Sequence, residues 1–78
     1  MVALDRRKAS GFPRWLFQQR TRDDPVGDLA RDALMDGSFP QTGTDPDVFE
    51  NHLVRLGACY DARVAMDCAL TEFRHRGK

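Results

Sequence analysis

Apolar residues recur along this chain at three- and four-residue intervals, in four runs separated by short polar or Gly/Pro stretches. In the first run Phe12, Trp15, Leu16 and Gln19 share one side, which predicts a helix over 12–19 with Pro13 in its first turn, where the missing N–H costs nothing. The second run opens at Asp24-Pro25 and carries Val26, Leu29, Ala30, Ala33 and Leu34 as an apolar stripe, predicting a helix to Asp36. Asp28, Arg31 and Asp32 occupy its other side. The third opens at Thr44-Asp45-Pro46, places Phe49, Leu53 and Leu56 on one face with Val48 beside them, and stops at Gly57. The fourth follows almost at once, from about Cys59 to His75, with Ala62, Ala65, Met66, Ala69, Leu70 and Phe73 facing inward. No stretch alternates with the period of two that a strand requires, so the expected fold class is all-α, built from four helices.

The segment Ser38–Pro46 is the most informative connection. Phe39 is its only large apolar residue, so it is expected to plug the gap between two helices. Gly37 just before it reads as a left-handed stop for the second helix. Asp36 has no local explanation, because a carboxylate at a helix C-terminus opposes the helix dipole. The predicted core is Trp15, Leu16, Leu29, Leu34, Phe39, Phe49, Leu53, Met66, Leu70 and Phe73. Residues 1–11 lack periodicity and end at Gly11, which predicts a flexible basic arm (1–11) ahead of a helical domain over 12–76.

Composition narrows the function classes. The chain has 78 residues, 41% hydrophobic and 31% charged, which describes one small globular domain with little room for a deep, dry cavity. No apolar run approaches the roughly 20 residues that span a bilayer, and no apolar stretch follows Arg6-Arg7-Lys8 as a secretory signal would need. The expected location is the cytoplasm, without membrane contact. Net charge is zero but unevenly spread. Residues 1–22 hold Arg6, Arg7, Lys8, Arg14, Arg20 and Arg22 against Asp5. Residues 23–50 hold Asp23, Asp24, Asp28, Asp32, Asp36, Asp45, Asp47 and Glu50 against Arg31, and the last segment is mildly basic.

From Trp15 to Phe73 the pattern resembles the YozE family of small bacterial proteins. The resemblance is carried by Trp15-Leu16, an arginine after the first helix, Ala33, Asp36 and Ser38-Phe39-Pro40. It continues through Thr42, Thr44-Asp45, Leu53, Met66-Asp67, Ala69 and Phe73. Pro46 and Leu70 depart from it, standing where such sequences often have an aromatic and a tryptophan. The resemblance implies a sterile-alpha-motif-like (SAM-like) fold, a small four-helix orthogonal bundle, and implies no activity.

Candidate chemistry is sparse. His52, Cys59, Cys68 and His75 are the soft ligands, at spacings of seven, nine and seven, and no pair has the close spacing of a structural zinc site. On one helix, Cys59 and Cys68 would stand about 13 Å apart, too far for a bridge, so reduced thiols are expected. They read as ordinary buried thiols and the histidines as surface imidazoles. Asp23-Asp24 and Asp45-Asp47 are explained as helix caps and first-turn partners of the dipole rather than as acid–base pairs. No nucleophile–base constellation can be assembled, so no enzyme, cofactor, metal or small-molecule substrate is expected.

Two binding readings remain. The leading one is a protein-interaction or adaptor module, with self-association included. An acidic patch (Asp24, Asp28, Asp32, Asp36, Asp47) would complement a basic one (Arg14, Arg20, Arg22, with Arg74 and Arg76). The alternative is nucleic-acid binding, DNA above all, through the basic N-terminal region, with Phe12 and Trp15 interleaved among the cations. The candidate partner-binding residues are Arg14, Arg20, Arg22, Asp28, Asp32 and Asp36.

Overall fold

Four helices form where the apolar spacing places them: α1 (Gly11–Gln18), α2 (Pro25–Met35), α3 (Pro46–Leu56) and α4 (Tyr60–His75). The structure is a computed structural model and describes residues 8–76. There is no strand among the described residues. The long α4 packs against each of the other three helices, and α1 also packs on α2. The radius of gyration is 11.5 Å, what a single domain of this length should have.

Local chemistry accounts for most helix ends. Asp24 caps α2, its Oδ1 accepting the Gly27 N–H at 2.9 Å, and Asp45 caps α3 by accepting the Asp47 N–H at 3.0 Å. Each is followed by Pro at the first helical position, as the sequence anticipates. Gly57 stops α3 in the left-handed region (φ 70°), and the N–H groups of Gly57 and Ala58 return to the carbonyls of Val54 and Leu53.

The end of α2 corrects the expectation for Gly37, whose φ is not positive. Asp36 does the work instead. Its backbone turns extended (φ −92°, ψ 104°), and its Oδ1 accepts the Ser38 N–H at 2.9 Å and the Ser38 hydroxyl at 2.7 Å. This side-chain turn replaces a glycine cap and aims the next residue, Phe39, into the protein.

All five phenylalanines are buried and touch in a chain across the elements. Phe12 meets Phe49 (centroids 4.8 Å apart) and Phe73 (5.5 Å), and Phe39 bridges Phe49 (6.0 Å) and Phe17 (6.1 Å). Phe39 is thus the expected plug, only 3% exposed. Leu16, Val26, Leu29, Leu53, Met66 and Leu70 pack with them, and Ala30, Ala33, Ala65 and Ala69 fill the spaces between the helices. Trp15 and Leu34 are only half-buried and pack against its edge, while Leu56 (56% exposed) and Val48 (44%) lie outside it. Those four apolar assignments shift outward because a helix on a small domain buries a narrow stripe, and residues at its margin face water. Phe17 and Ala9 are buried without having been expected.

Of the 1–11 arm, residues 1–7 lie outside the described residues, and the remainder is part of the fold. Ala9 is buried, the Ser10 N–H donates to the Gln41 carbonyl, and the Phe12 N–H donates to the Gly43 carbonyl, both at 2.9 Å. Gly11 between them has φ 63°, and a Cβ there would lie 2.3 Å from the Gly43 oxygen. The backbone before α1 is therefore clasped to the α2–α3 loop at a point where only glycine fits.

Candidate functional site

The fold sorts the six candidate residues into two different fates. Asp28 and Asp32 stand one turn apart on a single face of α2, and Asp36 follows just past its end, at the extended C-cap residue. That row forms one edge of a shallow groove. Two adjoining depressions, of about 400 Å³ and about 260 Å³, share Leu29, Asp32 and Ala62 and so run together. The first continues to Asp28, Asp61 and Val64, the second to Ala33, Asp36, Phe39, Leu56 and Ala58. The groove is thus floored by apolar atoms between α2 and the start of α4, and edged by four carboxylates.

These carboxylates differ in what holds them. Asp28 pairs with Arg31 on the surface of α2. Asp36 Oδ2 lies 2.8 Å from His52 Nε2, and the His52 ring meets the Phe39 ring edge-on at 5.5 Å. Burial works against ionisation of Asp36, but hydrogen bonds from His52 and Ser38 outweigh it and hold its carboxyl below the usual aspartate range. Asp32 and Asp61 pair with no other side chain among the described residues.

The arginines do not form the expected joint patch. Arg22 is drawn inward: it grips Glu72 on α4 through two bonds (2.8 and 3.0 Å) and Asp24 through two more (2.7 and 3.0 Å). Bonding to Glu72 first and Asp24 second raises the guanidinium pKa further above its ordinary value. The same contacts lower both partners: Glu72 through Arg22, and Asp24 through the Gly27 N–H and then Arg22. Arg20 bends back to donate to the Phe17 carbonyl at 3.0 Å, satisfying the end of α1. Arg14 alone of the three makes no hydrogen bond or ion pair through its side chain among the described residues, and it lines a separate depression with Gly11, Trp15, Gln18, Phe73 and Arg76. There the Arg76 guanidinium sits 3.8 Å over the Phe73 ring.

Three of the four soft ligands are reversed from expectation, while His75 is exposed as expected. Cys59 and Cys68 are free and exposed, whereas His52 is 7% exposed against Asp36. Cys68 falls on the polar side of α4 because Ala65, Met66, Ala69 and Leu70 take its inner face, and Cys59 stands outside the helix as its N-cap residue. Nothing local marks His52 as buried, since its partner lies sixteen positions away. Among the described residues no three His, Cys, Asp or Glu side chains converge as metal ligands would, and no helix is long and apolar enough to cross a membrane.

Compared with known proteins, the family model of the YozE SAM-like fold matches residues 11–75, which begins at the Gly11 clasp and ends with α4. Neither a curated protein nor a solved structure matches the chain.

Proposed function

We propose that this chain, which belongs to the YozE SAM-like fold family, works as a non-enzymatic module that docks another protein in the groove between α2 and α4. The carrying observation is the groove itself, where apolar side chains remain open to water beside Asp32 and Asp61, which carry no internal ion pair among the described residues. Leu56 is 56% exposed and Val64 42% exposed, so the floor is not sealed by the chain's own packing. Apolar surface at the centre of a polar rim is the usual anatomy of a protein-docking patch. Arg22 is committed to Glu72 and Asp36 to its hydrogen bond with His52, which leaves Asp32 and Asp61 of the groove for a partner. A cytoplasmic site of action fits a reduced pair of exposed thiols.

The second reading, nucleic-acid binding, is favoured by the depression at Arg14, Trp15 and Arg76, where two cations flank a half-buried indole. One experiment separates the readings. A photo-crosslinking residue is placed at Val64 in the groove and, in a second variant, at Gln18 in the basic depression, and cells expressing each are irradiated. Protein adducts at Val64 but not at Gln18 are the expected result. Nuclease-sensitive adducts at Gln18 with none at Val64 would replace the docking reading by the nucleic-acid one.

A further inference from the structure

From the geometry of the groove we infer its occupant: a basic amphipathic helix of a partner protein, laid along α2. This rests on the docking reading and names the chemistry of the partner. Asp28 and Asp32 lie four residues apart, about 6 Å along the α2 axis, and Asp36 follows just past the helix end on the same groove, so the edge is a ladder of carboxylates with two helical rungs. Lysines or arginines at i and i+4 of a second helix repeat at the same interval as Asp28 and Asp32, and one at i+8 extends toward Asp36. The neighbouring floor is built from small side chains, Ala33, Ala58 and Ala62, which let a helix approach closely. Leu29 and Leu56 flank them and offer apolar contact to the partner's adjoining stripe. On the opposite side Asp61 closes the groove with the same sign, so no wall favours an acidic occupant. The ladder is not uniform in strength. Asp32, at its centre, has no internal ion pair among the described residues, whereas Asp28 shares Arg31 and Asp36 is held by His52. Asp32 is therefore the specificity-determining carboxylate.

The test uses the full chain and three fluorescent peptides of about 14 residues. One is a Leu/Ala helix bearing lysines at i, i+4 and i+8, the second has glutamates in their place, and the third is the lysine peptide interrupted by proline. Asp32→Lys and Asp32→Asn variants are titrated beside the wild type, with circular dichroism to show that both remain folded. The expected result is binding of the lysine helix alone, weakened about tenfold or more by Asp32→Lys and less by Asp32→Asn, and weakened again by salt. Equal binding of the lysine and glutamate peptides would overturn the inference, as would indifference to Asp32. Undiminished binding of the proline-broken peptide would overturn the helical occupant. Concentration-dependent self-association of the chain that excludes the lysine helix would make a second copy the occupant instead. Protein adducts at Val64 without affinity for the lysine helix would sink this inference alone, whereas no adducts at Val64 would sink the docking reading beneath it.

Discussion

Asp36 shows how much one side chain can decide. It ends α2, bonds Ser38 through one oxygen and His52 through the other, and thereby fixes the residue on either side of Phe39's entry into the core. Its spacing from His52 hides this role, because no local pattern links positions sixteen apart. The pH dependence follows from its lowered pKa. A carboxyl whose folded pKa is depressed contributes stability above its unfolded value, about 3.9, and that contribution is lost as pH falls through the folded value. Asp24 and Glu72 act with the same sign. Asp36→Asn should therefore flatten the acid limb of a pH–stability curve below about pH 4, measured by urea midpoints at successive pH values. An unchanged limb would assign acid lability to Asp24 and Glu72.

At the scale of elements, joints rather than helices set the architecture. The helices α1, α2 and α3 have 8, 11 and 11 residues, and an isolated helix below about 12–15 residues is marginal in water, so tertiary contacts must hold their ends. Arg22 ties the α1–α2 link to Glu72 on α4, and Gly27 lets that link come close, since a Cβ there would lie 2.0 Å from the Arg22 carbonyl oxygen. The Ser10–Phe12 backbone ties the start of α1 to the α2–α3 loop. Gly11→Ala would place a side chain in the left-handed region and against the Gly43 carbonyl, and should cost about 1–3 kcal/mol. Thermal melting checks this, and the Ser10 and Phe12 amides should lose protection in hydrogen exchange. The capping signals at Asp24-Pro25, Asp45-Pro46 and Gly57 were legible because caps are local chemistry. The clasp was not, because Gly11 and Gly43 announce a turn each and nothing announces that the two turns meet.

For the whole molecule the core is a single layer of contact shared by all four helices, so a loss at its centre is felt everywhere. A chain of this size has a stability of roughly 4–12 kcal/mol. Phe39→Ala removes a ring that touches Phe17, Phe49 and His52, and should cost about 3–5 kcal/mol, read as a large fall in the urea midpoint at unchanged slope. What the sequence by itself determined was the helix count, the all-α class, the Phe39 plug and the placing of Asp28 and Asp32 on the outer face of α2. Each of these follows from spacing along one helix or from a capping residue beside it. Tertiary structure alone decided which charges are available. It tied Arg22 to Glu72 on α4, buried His52, exposed both cysteines, and set the acidic row beside apolar side chains of α4 and the loop before it. The physical reason is that a residue's period fixes its side of a helix, while its partner is fixed by which helix packs there, and that choice is made by the core.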